Sequence, residues 1–370
     1  MLESTAAETG PPRSAPVAAA LVSVAGALPP ARISSAALAE GFGVSEDWIV
    51  SRTGIRERRR AGPEESLSDL AAAAGELALA RAGVKATSLD LVLVATISAD
   101  ERTPAAAAHV AARLGAERAG AFDIAAACNG FLTGLALAAA QIESGRARAI
   151  LLIGADFCSR FTDHDDKRSA PLLADGAGAV VLLATGPGPA ADPDPDVKPH
   201  AVPAGGWVGP VVLASDGDHA ATLATDDHGL LHMDGPEVFR HAVARMHEAS
   251  LAALAAAATP LESIDLVVPH QANARITRAL SERLELPAER VVDCIAELGN
   301  TSAATLPLAL AHAQAEGRLT PGSRLLLTAF GAGFSWGACV LQWGGSVPRF
   351  PALSQISQLP GLAARACDRV

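Results

Sequence analysis

Leu89-Asp-Leu-Val-Leu-Val-Ala-Thr96 and Ile264-Asp-Leu-Val-Val-Pro-His270 carry one pattern twice. Each is a short, continuous apolar run with an aspartate near its start. Apolar residues on consecutive positions suit a strand covered by helices on both faces. Working outward, the match extends in both directions. An alanine-rich helix precedes each run (roughly 66–84 and 236–257) and a second helix follows it (104–114 and 272–284). Cys128 and its long helix then parallel Asn300 and its helix. Ala147-Arg-Ala-Ile-Leu-Leu-Ile-Gly-Ala155 parallels Ser323-Arg-Leu-Leu-Leu-Thr-Ala-Phe-Gly331, and Gly176-Ala-Gly-Ala-Val-Val-Leu-Leu183 parallels Ser335-Trp-Gly-Ala-Cys-Val-Leu-Gln342. Each half therefore reads βαβαβαββ, which predicts a duplicated α/β architecture of helix and sheet layers. The halves span 16–185 and 207–343. A Pro/Gly-rich connector at 186–206 joins them, residues 1–15 read as a disordered tail, and 344–370 as a C-terminal extension.

The 370 residues are enough for two fused halves with a large core. Half of them are hydrophobic, and 29 basic against 40 acidic side chains give a formal charge of −11. That balance argues against general nucleic-acid binding. Five cysteines, odd in number and widely spaced, show no CxxC pair and no zinc-like spacing. Free thiols in a reducing cytoplasm are the expected setting. The apolar run from Val17 to Leu28 reads as a first core strand; Glu3 and Glu8 precede it without a positive cluster, unlike a leader peptide. No stretch of about 20 apolar residues is uninterrupted, so no membrane span is expected.

Three polar residues sit at junctions where strands are expected to give way to helices. Cys128 follows Ala121-Phe-Asp-Ile-Ala-Ala-Ala, read as a buried strand, and opens a helix. There, free N–H groups and the helix dipole favour a thiolate. A buried structural cysteine is the competing reading. His270 follows Pro269 at the carboxyl end of its strand, where α/β sheets carry ligand and catalytic groups. Asn300 follows Gly299 ahead of a small-residue helix start. A site drawing Cys128 from one half and His270 and Asn300 from the other would lie between the halves. Cys339, inside the apolar Ala338-Cys-Val-Leu341, reads as core.

These residues resemble the thiolase superfamily, and within it the β-ketoacyl-acyl-carrier-protein synthase III family. The resemblance rests on Asp47-Trp-Ile-Val-Ser-Arg-Thr-Gly-Ile-Arg-Glu-Arg58, Ala125-Ala-Ala-Cys-Asn-Gly-Phe131, Asp175-Gly-Ala-Gly-Ala-Val-Val-Leu182, Pro269-His-Gln-Ala-Asn-Ala-Arg275, Gly299-Asn-Thr-Ser-Ala-Ala-Thr305 and Phe330-Gly-Ala-Gly-Phe-Ser-Trp-Gly337. It implies a thiolase-like fold of two pseudo-symmetric halves in α-β-α-β-α layers. It also implies acylation of Cys128 from a coenzyme A thioester, then decarboxylative attack by a malonyl-carrier-protein to give a 3-oxoacyl thioester. Backbone N–H groups of Cys128 and Ala332 would hold the first oxyanion, and His270 and Asn300 the second. Ala332 stands where glycine is common in the family. The resemblance implies no metal and no organic cofactor; coenzyme A enters as substrate.

The resemblance further implies that Trp48 packs on the adenine, with the other face met by Lys167 or Arg168. Arg52 and Arg275 would contact phosphates, and Gly235, Phe239 and Asn273 would line the pantetheine channel. Arg240, Arg275, Arg278 and Arg283 would form a basic patch for an acidic carrier protein; a helix face balanced by Glu282 and Glu285 is the plainer reading. Thr103, contributed by the partner of a homodimer, and Leu173 stand where pocket phenylalanines occur in acetyl-selective relatives. Acyl groups larger than acetyl are therefore expected. Two alternatives use the same scaffold: a non-decarboxylating acyltransferase acting on a hydroxyl, amine or carrier protein, and a non-catalytic acyl-CoA-binding or carrier-binding subunit. The intact Cys-His-Asn set favours carbon–carbon bond formation.

Overall fold

The computed structural model describes residues 17–185 and 206–345. The predicted tail and nearly all of the connector and C-terminal extension lie outside them. The first half runs β1 (Ala18–Ala27), β2 (Ala31–Ser34), α1 (Ser35–Phe42), α2 (Glu46–Thr53), β3 (Glu57–Arg60), α3 (Leu67–Ala82), β4 (Leu91–Ala95), α4 (Ala106–Leu114), β5 (Gly120–Ile124), α5 (Gly130–Glu143), β6 (Ala149–Phe157) and β7 (Asp175–Thr185). The second runs β8 (Trp207–Ser215), β9 (Leu223–Thr225), β10 (Leu231–Met233), α6 (Gly235–Ala256), β11 (Leu266–Pro269), α7 (Ala274–Arg283), α8 (Ile295–Leu298), α9 (Thr305–Ala315), β12 (Arg324–Gly331) and β13 (Ser335–Gln342).

The main sheets have the orders β1-β7-β6-β4-β5 and β8-β13-β12-β11. Four strands correspond in order and direction: β4 runs parallel to β6 as β11 does to β12, and β7 and β13 close antiparallel ladders on β6 and β12. The second half departs from βαβαβαββ at its third strand. There Val291 makes a single bridge to Val267. The Gln271 carboxamide donates to the Val292 carbonyl at 3.1 Å and accepts from Cys294 N–H at 3.2 Å, taking the place of a ladder neighbour. Two short antiparallel pairs decorate the halves: β2–β3, which brackets α1 and α2, and the hairpin β9–β10.

The layers follow from which faces are apolar. One core cluster joins β1, β6 and β7 to β12 and β13 through α5 and α9. Those two helices are buried nearly all round, as a central layer demands. A second cluster packs α3 and α4 on the outer face of the first sheet, and a third packs α6 and α7 on the outer face of the second. The order is thus α-β-α-β-α. Gly154 sets the closest approach of sheet to central layer: a Cβ there would stand 2.3 Å from the Ala303 carbonyl oxygen. Cys339 is fully buried in β13, as its core reading requires. Gly344 still belongs to the fold, its N–H donating to Leu21 at 3.1 Å. Among the described residues no helix is long and apolar enough to cross a membrane.

Candidate active site

Cys128 lies in a 3-10 turn, Ala127–Asn129, just ahead of α5. The strand feeding it, β5, is an edge strand only half covered, with Phe122 40% exposed, so the expected buried strand is corrected. The expected thiolate is also corrected. The Cys128 thiol is pushed up to about 11 by burial; the Ser302 hydroxyl opposes this and the Asp156 charge adds to it. Part of the residue's surface faces a cavity, but the sulfur is ringed by protein. The helix N-terminus does not outweigh that desolvation.

His270 follows β11 directly, its N–H donating to the Thr328 carbonyl at 2.8 Å. The side chain is 2% exposed, and Nδ1 lies 2.6 Å from the Thr305 hydroxyl. Burial lowers its pKa to about 3, so the imidazole is neutral at physiological pH.

Asn300 reaches the site by a different route from the one the repeat suggested. It follows α8 and Gly299 rather than a regular strand. Its N–H donates to Leu172 at 2.9 Å, and its carbonyl accepts from Ala174 N–H at 2.8 Å, making a one-residue bridge with Leu173 of the other half. Gly299 has φ +65°, and a Cβ there would lie 3.0 Å from Ala174 Cβ and 3.3 Å from Arg58 Cβ. Fully buried Arg58 fixes the facing loop, donating to the Pro171 carbonyl at 2.9 Å and the Ser35 hydroxyl at 3.0 Å. The Asn300 Oδ1 accepts the Ser302 N–H at 2.9 Å, which leaves the Nδ2 donors for the cavity.

Asp156, at the end of β6 and fully buried, ties both halves to this turn. Its Oδ1 accepts from Ile97 N–H (2.9 Å), the Ser98 hydroxyl (2.8 Å) and the Thr96 hydroxyl (3.1 Å), and its Oδ2 accepts from Ala303 N–H (3.1 Å). Ser302 lies beside it with φ +52° and a buried hydroxyl that forms no well-aligned hydrogen bond.

A cavity of about 1120 Å³ connects the three residues to the surface; Cys128, His270, Asn300, Ser302, Phe330 and Ala332 line its inner end. Arg52, Lys167, Arg168 and Arg275 line it as well, and all four are exposed. Trp48 is there, with the Arg52 guanidinium 4.3 Å from its ring centroid and the Lys167 ammonium 5.8 Å from it. Arg168 instead turns to Asp166 at 2.9 Å. Gly235, Phe239 and Asn273 line the channel, and the Arg275 guanidinium lies 5.9 Å from the Phe239 ring. The Asn273 carboxamide is already engaged, donating to the Arg52 carbonyl at 3.1 Å and capping α7 through the Arg275 N–H at 2.9 Å. Leu173 joins Cys158, Phe161, Leu172 and Leu231 in an apolar cluster on the same wall.

Thr103, Arg240, Arg278 and Arg283 do not line this cavity. All four are exposed, and Arg240 pairs with Glu237 on its own helix rather than with Glu282 or Glu285.

Comparison with known proteins decides the family. The model of the 3-oxoacyl-[acyl-carrier-protein (ACP)] synthase III C terminal matches residues 254–343, and that of 3-oxoacyl-[acyl-carrier-protein (ACP)] synthase III matches 122–192. The chain is 41% identical over 332 residues to a β-ketoacyl-[acyl-carrier-protein] synthase III of Roseiflexus castenholzii, covering 86% of this chain and 96% of that one. The chain belongs to the β-ketoacyl-acyl-carrier-protein synthase III family. The 3-oxoacyl-[acyl-carrier-protein] synthase III structure from Aquifex aeolicus superposes with TM-score 0.81 at 36% identity, covering 88% of this chain and all of that one. The priming β-ketosynthase from the R1128 polyketide biosynthetic pathway superposes with TM-score 0.80 at 34% identity, covering 91% and 100%. As a synthase III family member the chain is an acyltransferase with the thiolase-like fold, and its reaction is a condensation. The first matched segment contains Cys128; the second contains His270, Asn300 and Ala332.

Several residues that line or brace this cavity escaped the sequence reading. Thr305 and Ser302 sit inside the Gly299–Thr305 motif but looked like ordinary helix-start residues. Asp156 closes an apolar strand, and a carboxylate there was the available signal, since a buried charge requires dedicated donors. Cys158 and Phe161 offered no signal at all, because they meet Leu173 only through the turn after β6.

Proposed function

We propose that Cys128 takes an acyl group from a coenzyme A thioester and that His270 and Asn300 then drive decarboxylative condensation with a malonyl thioester on a carrier protein. The observation that carries this reading is the separation of charge along one cavity. Its exposed end offers a tryptophan and four cations, suited to a nucleotide and phosphates. Its inner end offers a thiol, a neutral imidazole, a carboxamide and apolar walls.

In the first step the sulfur attacks the thioester carbonyl, and the oxyanion lies against the N–H groups of Cys128 and Ala332. Coenzyme A departs as its thiol, carrying the proton that Cys128 gives up. In the second, the malonyl carboxylate lies among groups that include no cation. Loss of neutral CO₂ moves the negative charge off a carboxylate that the inner cavity does not pair and onto an enolate. The electron pair left behind forms an enolate whose oxygen meets the His270 Nε2 side and the Asn300 Nδ2. The enolate carbon attacks the acyl-Cys128 carbonyl, forming the new carbon–carbon bond and expelling the sulfur as a thiolate, which takes up a proton from solvent to restore the thiol. Neutral donors suit this step, because they stabilise the enolate without first holding the carboxylate as an ion pair.

The cluster of Cys158, Phe161, Leu173 and Leu231 supports an apolar acyl chamber that takes chains longer than acetyl. Edge strand β5, with Phe122 40% and Ile97 43% exposed beside it, supports pairing with a second copy. Thr103 would then cap the partner's chamber. The exposed arginines Arg240, Arg278 and Arg283 support docking of an acidic carrier protein in the cytoplasm.

The test is sequential. Incubation with a panel of acyl-CoA thioesters should add one acyl mass at Cys128, read by intact-protein mass spectrometry. Malonyl-carrier-protein should then release CO₂ and remove the adduct. An adduct passed on to a hydroxyl or amine without CO₂ would overturn the condensation steps, and no adduct at all would leave only binding.

A further inference from the structure

The second step asks the His270 ring to donate from Nε2. A neutral imidazole carries one ring proton, so the nitrogen that holds it is decided by what faces Nδ1. Resting on the condensation reading, we propose that Thr305 sets this tautomer: its hydroxyl donates to Nδ1 and keeps the ring proton on Nε2, facing the enolate oxygen.

Thr305 is the first residue of α9 and is 2% exposed. Its hydroxyl has one proton and two acceptors within reach, His270 Nδ1 at 2.6 Å and the Ser302 carbonyl at 3.0 Å. The two choices have opposite chemical consequences. If the proton goes to the Ser302 carbonyl, His270 must donate from Nδ1, and Nε2 presents a lone pair to the developing enolate oxygen. If it goes to Nδ1, Nε2 becomes a donor. The shorter contact is the one to His270. The ring is also held from its backbone, His270 N–H to Thr328 at 2.8 Å, and Asn300 presents Nδ2 because its own oxygen is taken by Ser302 N–H at 2.9 Å. Both donors to the enolate are thus oriented by the one turn, residues 300–305. Thr305 acts through His270 and is a positioning residue.

Thr305→Val keeps the shape of the side chain and removes the hydroxyl. Condensation should fall roughly a hundredfold, while acylation of Cys128, read by intact mass, stays within about threefold of wild type. Thr305→Ser should restore condensation to within about fivefold. Nitrogen-15 NMR of labelled histidine should show the proton on Nε2 in the wild type and a shift toward Nδ1–H in the valine variant, a change that mere loosening of α9 would not direct. Wild-type condensation by Thr305→Val, or an Nδ1–H tautomer in the wild type, would overturn the proposal. If the valine variant does not fold, the wild-type spectrum alone decides. Failure of wild-type protein to release CO₂ would instead strike the condensation reading, and the tautomer would still be read directly.

Discussion

The two turns that feed the central helices are built alike and do different work. Ala127–Asn129 leads into α5 and Ser302–Ala304 into α9. Each opens on a non-glycine residue in the left-handed region, Ala127 at φ +46° and Ser302 at φ +52°. Each such residue costs on the order of 1 kcal/mol or more. The first turn presents a thiol, the nucleophile of the proposed reaction, and a backbone N–H. The second occupies the Asn300 Oδ1 through the Ser302 N–H and is followed by Thr305, whose hydroxyl meets His270 Nδ1, so that side-chain donors are what it would offer on the proposed reading. Duplication supplied one backbone twice, and the chemistry was divided by which atoms each copy leaves without a partner.

Predictions bear on that division, from the largest effect down. Cys128→Ala removes the only sulfur offered by the first turn; no acyl adduct should form with any acyl-CoA, while thermal stability should stay near wild type. Asn300→Ala acts on the second turn alone, lowering condensation by roughly 10²- to 10³-fold and leaving the acylation rate within a few-fold. Equal losses in both steps would show that the turns are not chemically separate. Between them lies pH. Alkylation of Cys128 by iodoacetamide should climb about tenfold per pH unit and level off only near about 11; a plateau near neutrality would contradict the burial described above.

His270 gives a stability signature of the opposite sense. Its folded pKa is lowered to about 3, whereas the unfolded ring protonates near its ordinary 6.5. Protons therefore bind the unfolded chain preferentially between those values. Stability should fall as pH drops through that window, by up to about 1.4 kcal/mol per unit. His270→Gln should flatten that part of a urea-unfolding series. The smallest effect is expected from Ala127→Gly, which relieves the left-handed strain but frees the unfolded chain. A net change within about 1 kcal/mol should follow, with acylation retained.

Much of this was legible because the sequence states it locally. Continuous apolar runs gave most of the strands and the order of motifs gave the duplication, but the pairing of Cys128 with Asn300 is out of register: Ala127–Asn129 matches Ser302–Ala304, which sets Ala303 opposite Cys128. What could not be read was anything settled by desolvation or by contacts across the halves. The helix start near Cys128 argued for a thiolate, but burial decides the matter the other way. The second half's third strand shrinks to a single bridge at Val291, because the Gln271 carboxamide takes the Val292 carbonyl and the Cys294 N–H. Thr305, Ser302 and Asp156 acquire their roles only when β6 meets the start of α9. The loop Asp163–Arg168 offered Lys167 and Arg168 as equals until Asp166 claimed the arginine.

The bridge between Leu173 and Asn300 has a practical consequence for any attempt to reshape the proposed acyl chamber. Because the link is made by main-chain atoms, the hydrophobic wall can be widened or narrowed by exchanging the Leu173 side chain while the carboxamide stays where it is. Inserting or deleting a residue between Pro171 and Ala174 would drag the carboxamide along with the wall. On the proposed reading, selectivity is adjustable by substitution and closed to changes of length.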